Sequence, residues 1–436
     1  LGTLLAGLGG ALQLPREPAS LEMDMLTIGA AFVVVVVGGM GSIPGAFIAA
    51  LLVAELKAIC IWLGVQEIAG VEVSFSKLTL VVEFLVMAVV LVWRPWGLLG
   101  KPQALARSSG EPEQPLRAAG RGASAAWIGL IAALVLFPLA AGDAGSYTTV
   151  LLTDIFIAAL FAASLHFILG PGGMHSFGHA AYFGLGAYGA ALLVRQLDWP
   201  MEAALLLGPL VAAGGALLYG WFCVRLSGVY LTMLTLAFAQ ISWAIVFQWD
   251  SFTGGSNGLT GVWPPEWASQ GAAFYWLALA VCALGMYLLR RMLFAPLGFA
   301  LRASRDSALR ADAIGIDVRR VQWTAFVIAG LFAGLAGALF AFSKGGVAPD
   351  AMSVTKSVDA LVMVLLGGVQ TLAGPVVGAA AFTWLHDTVA RNTEYWRALL
   401  GGIMLLLVLL FPQGISGFAQ MVWARLDPKR IEGAAA

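Results

Sequence analysis

What constrains this chain most is a succession of apolar stretches, near residues 26–63, 78–93, 126–141, 149–169, 179–194, 202–225, 229–249, 272–289, 323–342, 357–387 and 396–411. A helix needs about 17 to 25 apolar residues to cross the hydrocarbon of a bilayer, and most of these stretches reach or approach that length. Charged residues make up only 11% of the 436-residue chain, against about 25% in soluble domains, which excludes a soluble globule. The 24 basic and 24 acidic residues cancel, leaving no basic face to hold nucleic acid by its phosphates. Glycine, at 53 residues, suits close helix packing in lipid. The expectation is an all-α polytopic membrane protein.

One segment differs in kind. Residues 101–125 are rich in Pro, Ser, Arg, Glu and Gly and have no apolar period that would bury a face, so they read as a cytoplasmic linker between two membrane units. The opening LLAGLGGAL (Leu4–Leu12) recurs as LFAGLAGAL (Leu331–Leu339), with seven of nine positions identical. Two further pairs follow in the same order: GGMGSIPG (Gly38–Gly45) with GGVQTLAG (Gly367–Gly374), and RPWGLLG (Arg94–Gly100) with FPQGISG (Phe411–Gly417). Three pairs in register point to a duplicated unit. Residues 1–100 then correspond to the last third of a complete unit at 126–427. The chain reads as if it began mid-protein, with about 200 residues of the first unit upstream of Leu1.

Loop charges set the orientation, because Lys and Arg collect on the cytoplasmic side. Arg290–Arg320 holds seven Arg and three Asp, whereas Asp250–Gly271 holds two acids and no base. The first is expected inside and the second outside, with Arg425, Lys429 and Arg430 of the tail also inside. A cytoplasmic tail requires an odd number of crossings after Ser343–Lys356. The 357–387 stretch, interrupted by GGVQTLAGP, is therefore expected to form a hairpin of two half or full helices, giving about ten spans in the second unit. Broken helices line cavities, since their freed backbone groups must be satisfied away from lipid; Gly367 and Gly368 are pathway candidates on that ground.

The Ala295–Arg320 segment reads as one short helix held along the membrane, with Leu301, Ala308, Ala311 and Ile314 at helical spacing, Arg302, Arg305, Asp306 and Arg310 between them, and Gly315 as its stop. It is either a lever for a soluble motor or an ordinary Arg-rich inner loop. His175 and His179, four apart, would share a helix face as metal ligands do, but no third ligand stands near them. Ser176 and His179 are polar groups inside the bundle and are candidates for a translocation pathway or for an interhelical hydrogen bond. Ser256, Asn257 and Gly258 form either a surface turn or a contact for an external binding protein. Cys60, Cys223 and Cys282 show no ligand spacing. No phosphate loop, Gly-x-Ser-x-Gly elbow or intramembrane carboxylate pair occurs, so no catalytic site, metal or cofactor is expected and ATP hydrolysis must reside elsewhere.

Three motifs carry a family resemblance. HSFGHAAYFGLGAYGAALL (His175–Leu193), GGSNGLTGV (Gly254–Val262) and RASRDSALRADAIGID (Arg302–Asp317) resemble the third span, the external loop and the coupling helix of M-type permease subunits of branched-chain amino acid ABC importers, in that order. The likeness covers 126 to about 420. Residues 1–100, especially AAFVVVVVGGMGSIPGAFIAALLVAEL and RPWGLLG, resemble the end of the partner H-type subunit. The chain departs from the broader ABC pattern at Leu309, Arg310 and Ala311, where an acid and two alanines would stand, and from the narrower family at His166 and Phe177. The resemblance implies a permease of the bacterial cytoplasmic (inner) membrane that takes a branched-chain or related amino acid from an extracytoplasmic solute-binding protein. Two ATPase subunits would drive it, gripping Gly298, Arg302, Arg305, Asp306, Ala311 and Gly315. The rivals are a urea or short-amide ABC permease and an ion-coupled secondary transporter, the latter disfavoured because the spans from 126 to 249 hold almost no charge apart from Asp154. A membrane-embedded enzyme would have only His175 and His179 as a close pair.

Overall fold

A computed structural model of the chain describes residues 1–15, 18–19, 23–68, 71–101, 121–142, 146–269, 272–411 and 413–419. Most of the expected linker, and the tail holding Arg425, Lys429 and Arg430, lie outside the described residues. The chain divides into two compact units, Leu1–Ala104 and Leu105–Ala436.

The first unit comprises α1 (Gly2–Gln13), α2 (Met23–Gly38), α3 (Ile43–Leu63), a hairpin of β1 (Val65–Ile68) and β2 (Val71–Ser74), α4 (Phe75–Leu78) and α5 (Val82–Trp93). Ser42 starts α3 by accepting the Gly45 N–H at 3.1 Å, with Pro44 pre-set in the first turn. The α2–α3 corner is closed by glycines: a side chain on Gly38 would strike the Gly45 and Ala46 backbone, and one on Gly45 the Gly38 carbonyl. Arg94–Gly100 folds back onto this corner, Leu98 and Leu99 donating to the Val37 and Gly38 carbonyls at 2.8 and 3.0 Å. No residue of α1 is buried.

The second unit runs α6 (Arg121–Ala141), α7 (Ser146–Leu169), α8 (His179–Leu197), α9 (Met201–Cys223), α10 (Gly228–Gln248), α11 (Asp250–Thr253), β3 (Leu259–Thr260), α12 (Glu266–Ser269), α13 (Ala273–Leu293), α14 (Pro296–Asp306), α15 (Ala308–Ala313), α16 (Val318–Lys344), β4 (Gly346–Val347), α17 (Val354–Gly367), α18 (Gly374–Asn392) and α19 (Trp396–Leu410). Ten of these helices have 14 residues or more among the described residues, matching the expected spans. Across both units six helices are long and apolar enough to cross a membrane, α3, α7, α9, α10, α13 and α16, and shorter apolar helices accompany them.

The core of the second unit is α8, α9 and α16, joined through small residues. A side chain on Gly337 would strike the Phe183 carbonyl, one on Gly334 the Ala212 methyl, and one on Gly186 the Gly334 backbone. Such close approach replaces the hydrophobic drive that lipid cannot supply. The LFAGLAGAL repeat forms the buried centre of α16, whereas its counterpart in α1 is exposed. The other two repeats build like corners in their own units: Gly367 abuts Gly374, and Gly414 returns to abut Gly367 and Gly368.

Candidate functional site

The Arg-rich segment is structured, but it is not the single helix expected. Ser307 is extended (φ −163°, ψ 103°), ends α14, and caps α15 by accepting the Arg310 N–H at 3.4 Å. A Ser side chain that competes for backbone N–H groups breaks a helix and restarts it. After α15, Gly315 takes φ +88° and donates to Asp312 O at 2.9 Å, while Ile316 donates to Ala311 O at 3.0 Å. That pair of bonds is a left-handed glycine termination. In place of the continuous apolar stripe, Leu301 and Ala311 are buried while Ala308 is exposed and Leu309 and Ile314 are 76% and 75% exposed.

Two arginines fasten this segment. Gly298 lies so close to the Leu293 carbonyl that a side chain would clash. Arg302 donates to Gly298 O at 3.2 Å and Leu293 O at 3.1 Å, and its guanidinium sits 4.4 Å from the Phe299 ring centroid. Burial, then neighbouring Arg305, lowers the Arg302 pKa, with Asp306 opposing. Arg305 donates to Gly170 O at 2.7 Å, its chain passing where Gly173 has no side chain, and makes an exposed pair with Asp306 at 3.3 Å. Only the first bond joins separate elements, and exposed pairs contribute little.

Gly170 connects the segment to the broken hairpin. It lies against His166 and the Val369 carbonyl, and His166 Nε2 donates to Val369 O at 2.7 Å. The break between α17 and α18 is where GGVQTLAGP was expected to interrupt the stretch. Gly368 takes φ +110° there, and Ser416 donates to Gly367 O and pairs with Thr371. Gly367 and Gly368 thus make close packing contacts at a hairpin, bonded through Val369 to the same end of α7 whose Ser164 meets His179.

Ser176 and His179 are buried together at the start of α8. Ser164 Oγ donates to Phe161 O at 2.7 Å and lies 2.8 Å from His179 Nε2. Ser164 Oγ has one proton to give, to Phe161 O or to Nε2; giving it to Phe161 O makes His179 Nε2–H the donor and leaves Nδ1 an acceptor. His179 Nδ1 and Ser176 Oγ have no hydrogen-bond partner. Phe161 stacks on the imidazole and Tyr182 meets it edge-on, with centroids 5.5 and 5.7 Å away. The His175–His179 pair does not share a helix face: His175 is exposed in the loop before α8. Among the described residues no group of three His, Cys, Asp or Glu is placed to hold a metal.

Ser256 and Asn257 are exposed on the 3-10 turn Gly255–Asn257, and Gly258 (φ +69°) presses against the Val347 carbonyl beside the β3–β4 pair. The surface turn is therefore formed, with its polar tip outward. Sequence reasoning missed Ser164, His166 as a bridge, Ser357, which accepts the Ala180 N–H at 2.9 Å, and Lys356, whose Nζ lies 5.7 and 5.6 Å from the Phe183 and Phe340 ring centroids. Asp154, the isolated span charge, pairs with Lys344 at 2.8 Å.

A family model described as branched-chain amino acid transport system / permease component matches residues 147–409. The high-affinity branched-chain amino acid transport system permease protein LivM of Escherichia coli (strain K12) is 28% identical over 298 residues, covering 62% of this chain and 70% of that protein. LivH, from the system of the same name in Salmonella typhimurium, is 25% identical over 287 residues, covering 59% of this chain and 91% of that protein. The autoinducer 2 import system permease protein LsrC of Escherichia coli (strain K12 / DH10B) is 27% identical over 224 residues, covering 48% of this chain and 61% of that protein. No solved structure matches the chain. The family match takes in more than half of the chain and spans the buried helix bundle, so the chain belongs to the branched-chain amino acid transport permeases, multi-pass membrane proteins of transport rather than enzymes.

Proposed function

We propose that this chain is the permease of an ABC importer that moves branched-chain or related amino acids across the bacterial inner membrane. Partner ATPase subunits act on α14–α15. An extracytoplasmic binding protein delivers the solute at Ser256, Asn257 and Gly258, and the pathway passes Ser176 and His179, with Gly367 and Gly368 at the moving break. Residues 1–100 act as part of an H-type unit, joined by the 101–125 linker to an M-type unit at 126–427. The observation that supports this reading is a fastened pair of short helices, α14 and α15, with Leu309 and Ile314 exposed. Apolar side chains so exposed next to arginines suit docking into a groove. ATP-driven closure pushes the lever, Arg305 carries the displacement to Gly170, and His166 passes it to Val369 at the break.

Copurification with the ATPase is the test. Replacing Leu309 and Ile314 together by Asp is expected to abolish it while the permease still inserts and folds; undiminished copurification would count against the lever. The similarity to the LsrC permease favours a second reading in which the same machine carries another small polar solute, urea or a short amide among them. Competition for binding to the partner receptor separates the two.

A further inference from the structure

We propose that the meeting point of α8 and α17 binds an α-amino acid zwitterion, Lys356 holding its carboxylate and His179 Nδ1 accepting from its ammonium. This rests on the importer reading for the identity of the ligand as cargo. Helix α8 begins inside the bundle rather than at its edge: Gly178 packs against the Thr235 carbonyl, roughly 10 Å along α10. The first turn of α17 meets it there, Ser357 Oγ accepting the Ala180 N–H at 2.9 Å. From this point α8 runs to the loop where Arg195 donates to Thr260 O, and α17 runs to the break bonded to His166. Two helix N-termini therefore meet within the bundle, each with a partial positive charge, as the broken helices of transporters do where they hold anionic groups.

Three side chains at this junction, buried Ser176 and His179 and half-buried Lys356, lack a close partner. Lys356 stands in the first turn of α17, at the end of the helix dipole that repels a cation. Its Nζ lies over Phe183 and Phe340, and it has no ion pair among the described residues. Asp154 is taken by Lys344 at 2.8 Å, and Asp359 lies one turn further on without reaching ion-pair distance. His179 Nδ1 and Ser176 Oγ are buried and unpartnered. The rings connect the two ends of the site: Phe161 stacks on His179 and packs on Phe183, with centroids 4.7 Å apart in the second contact, and Phe183 faces Lys356. A lysine that faces rings and has Asp359 only beyond ion-pair reach, an imidazole nitrogen without a partner and an unbonded hydroxyl are costly in a membrane bundle, and polar groups retained there mark solute pathways. A carboxylate for the lysine and an ammonium for the imidazole are the partners these groups lack. Lys356 also lies on the helix whose far end the lever reaches through His166, so displacement at the break would move the cation.

Thermal unfolding of the purified full-length chain with L-leucine or L-leucinamide tests the site. L-leucine should raise the midpoint increasingly with concentration, and L-leucinamide, which lacks the carboxylate, should not. The rise should vanish in Lys356→Met and persist in Lys356→Arg. Without ligand, Lys356→Met should unfold no earlier than wild type, because half-buried Lys356 makes no ion pair that the replacement would break and Met keeps the contact with the rings. Equal shifts by the two compounds, no shift in wild type, or an undiminished shift in Lys356→Met would overturn the proposal, as would a lowered ligand-free midpoint for Lys356→Met, which marks a structural role. Absence of ATP-driven leucine uptake alongside a carboxylate-dependent shift would instead sink the importer reading and leave the site standing.

Discussion

His166 illustrates what single residues do here. Its hydrogen bond to Val369 O at 2.7 Å ties the end of α7 to the α17–α18 break, and Gly170, four residues on, receives Arg305. Replacing His166 by Leu removes a bond worth about 0.5–1.5 kcal/mol. It should lower the unfolding midpoint slightly and raise the ATP consumed per solute moved; His166→Gln, which keeps a donor, should restore coupling. Unaltered stoichiometry in His166→Leu would show that the bond transmits nothing. Arg305 was legible in the sequence because arginines between apolar helix positions stand out. His166 was not, since its partner lies 203 residues away and its neighbours are uniformly apolar. Lys356 escaped for a related reason: a lysine near the end of an apolar stretch passes for a flanking charge, and only the dip of Gly345–Ser353 against α8 brings it inside. Met352 packing at Gly184 marks that dip.

At the scale of elements, the broken hairpin is the part that composition and glycine spacing located best. Gly367 and Gly374 permit α17 and α18 to touch backbone to backbone, and both glycines stood out as a paired pattern. Gly374→Ala should cost about 1–3 kcal/mol by overpacking, seen as a lower unfolding midpoint, and a midpoint equal to wild type would show that the corner yields. The break in the lever was harder to see. Ser307 sits within a 3.6-residue apolar pattern, and only its aptness as an N-cap, followed by Ala-Leu-Arg, hinted that α14 would end and α15 begin. The helix shared by His175 and His179 failed because Gly178, two residues after Ser176, lies against the Thr235 carbonyl and α8 starts only after it.

Taken whole, the second unit has the ten long helices that apolar length foretold, with a formed Gly255–Asn257 turn and a structured Arg-rich segment, and the family match covers the same region. Its glycines and alanines close the α8, α9 and α16 core, leaving the few buried polar groups conspicuous. Arg305 of the α14–α15 segment bonds Gly170 O, and His166, one turn before Gly170, bonds Val369 O at the hairpin. The central claim is that nucleotide-driven motion of the lever moves an amino acid through the second unit. Proteoliposomes holding the full chain, its ATPase and its binding protein decide it most directly. Radiolabelled leucine should accumulate with ATP supplied to the ATPase side, stop when ATP is withheld, and persist in an ionophore; uptake that ignores ATP and collapses with the ion gradient would contradict the account.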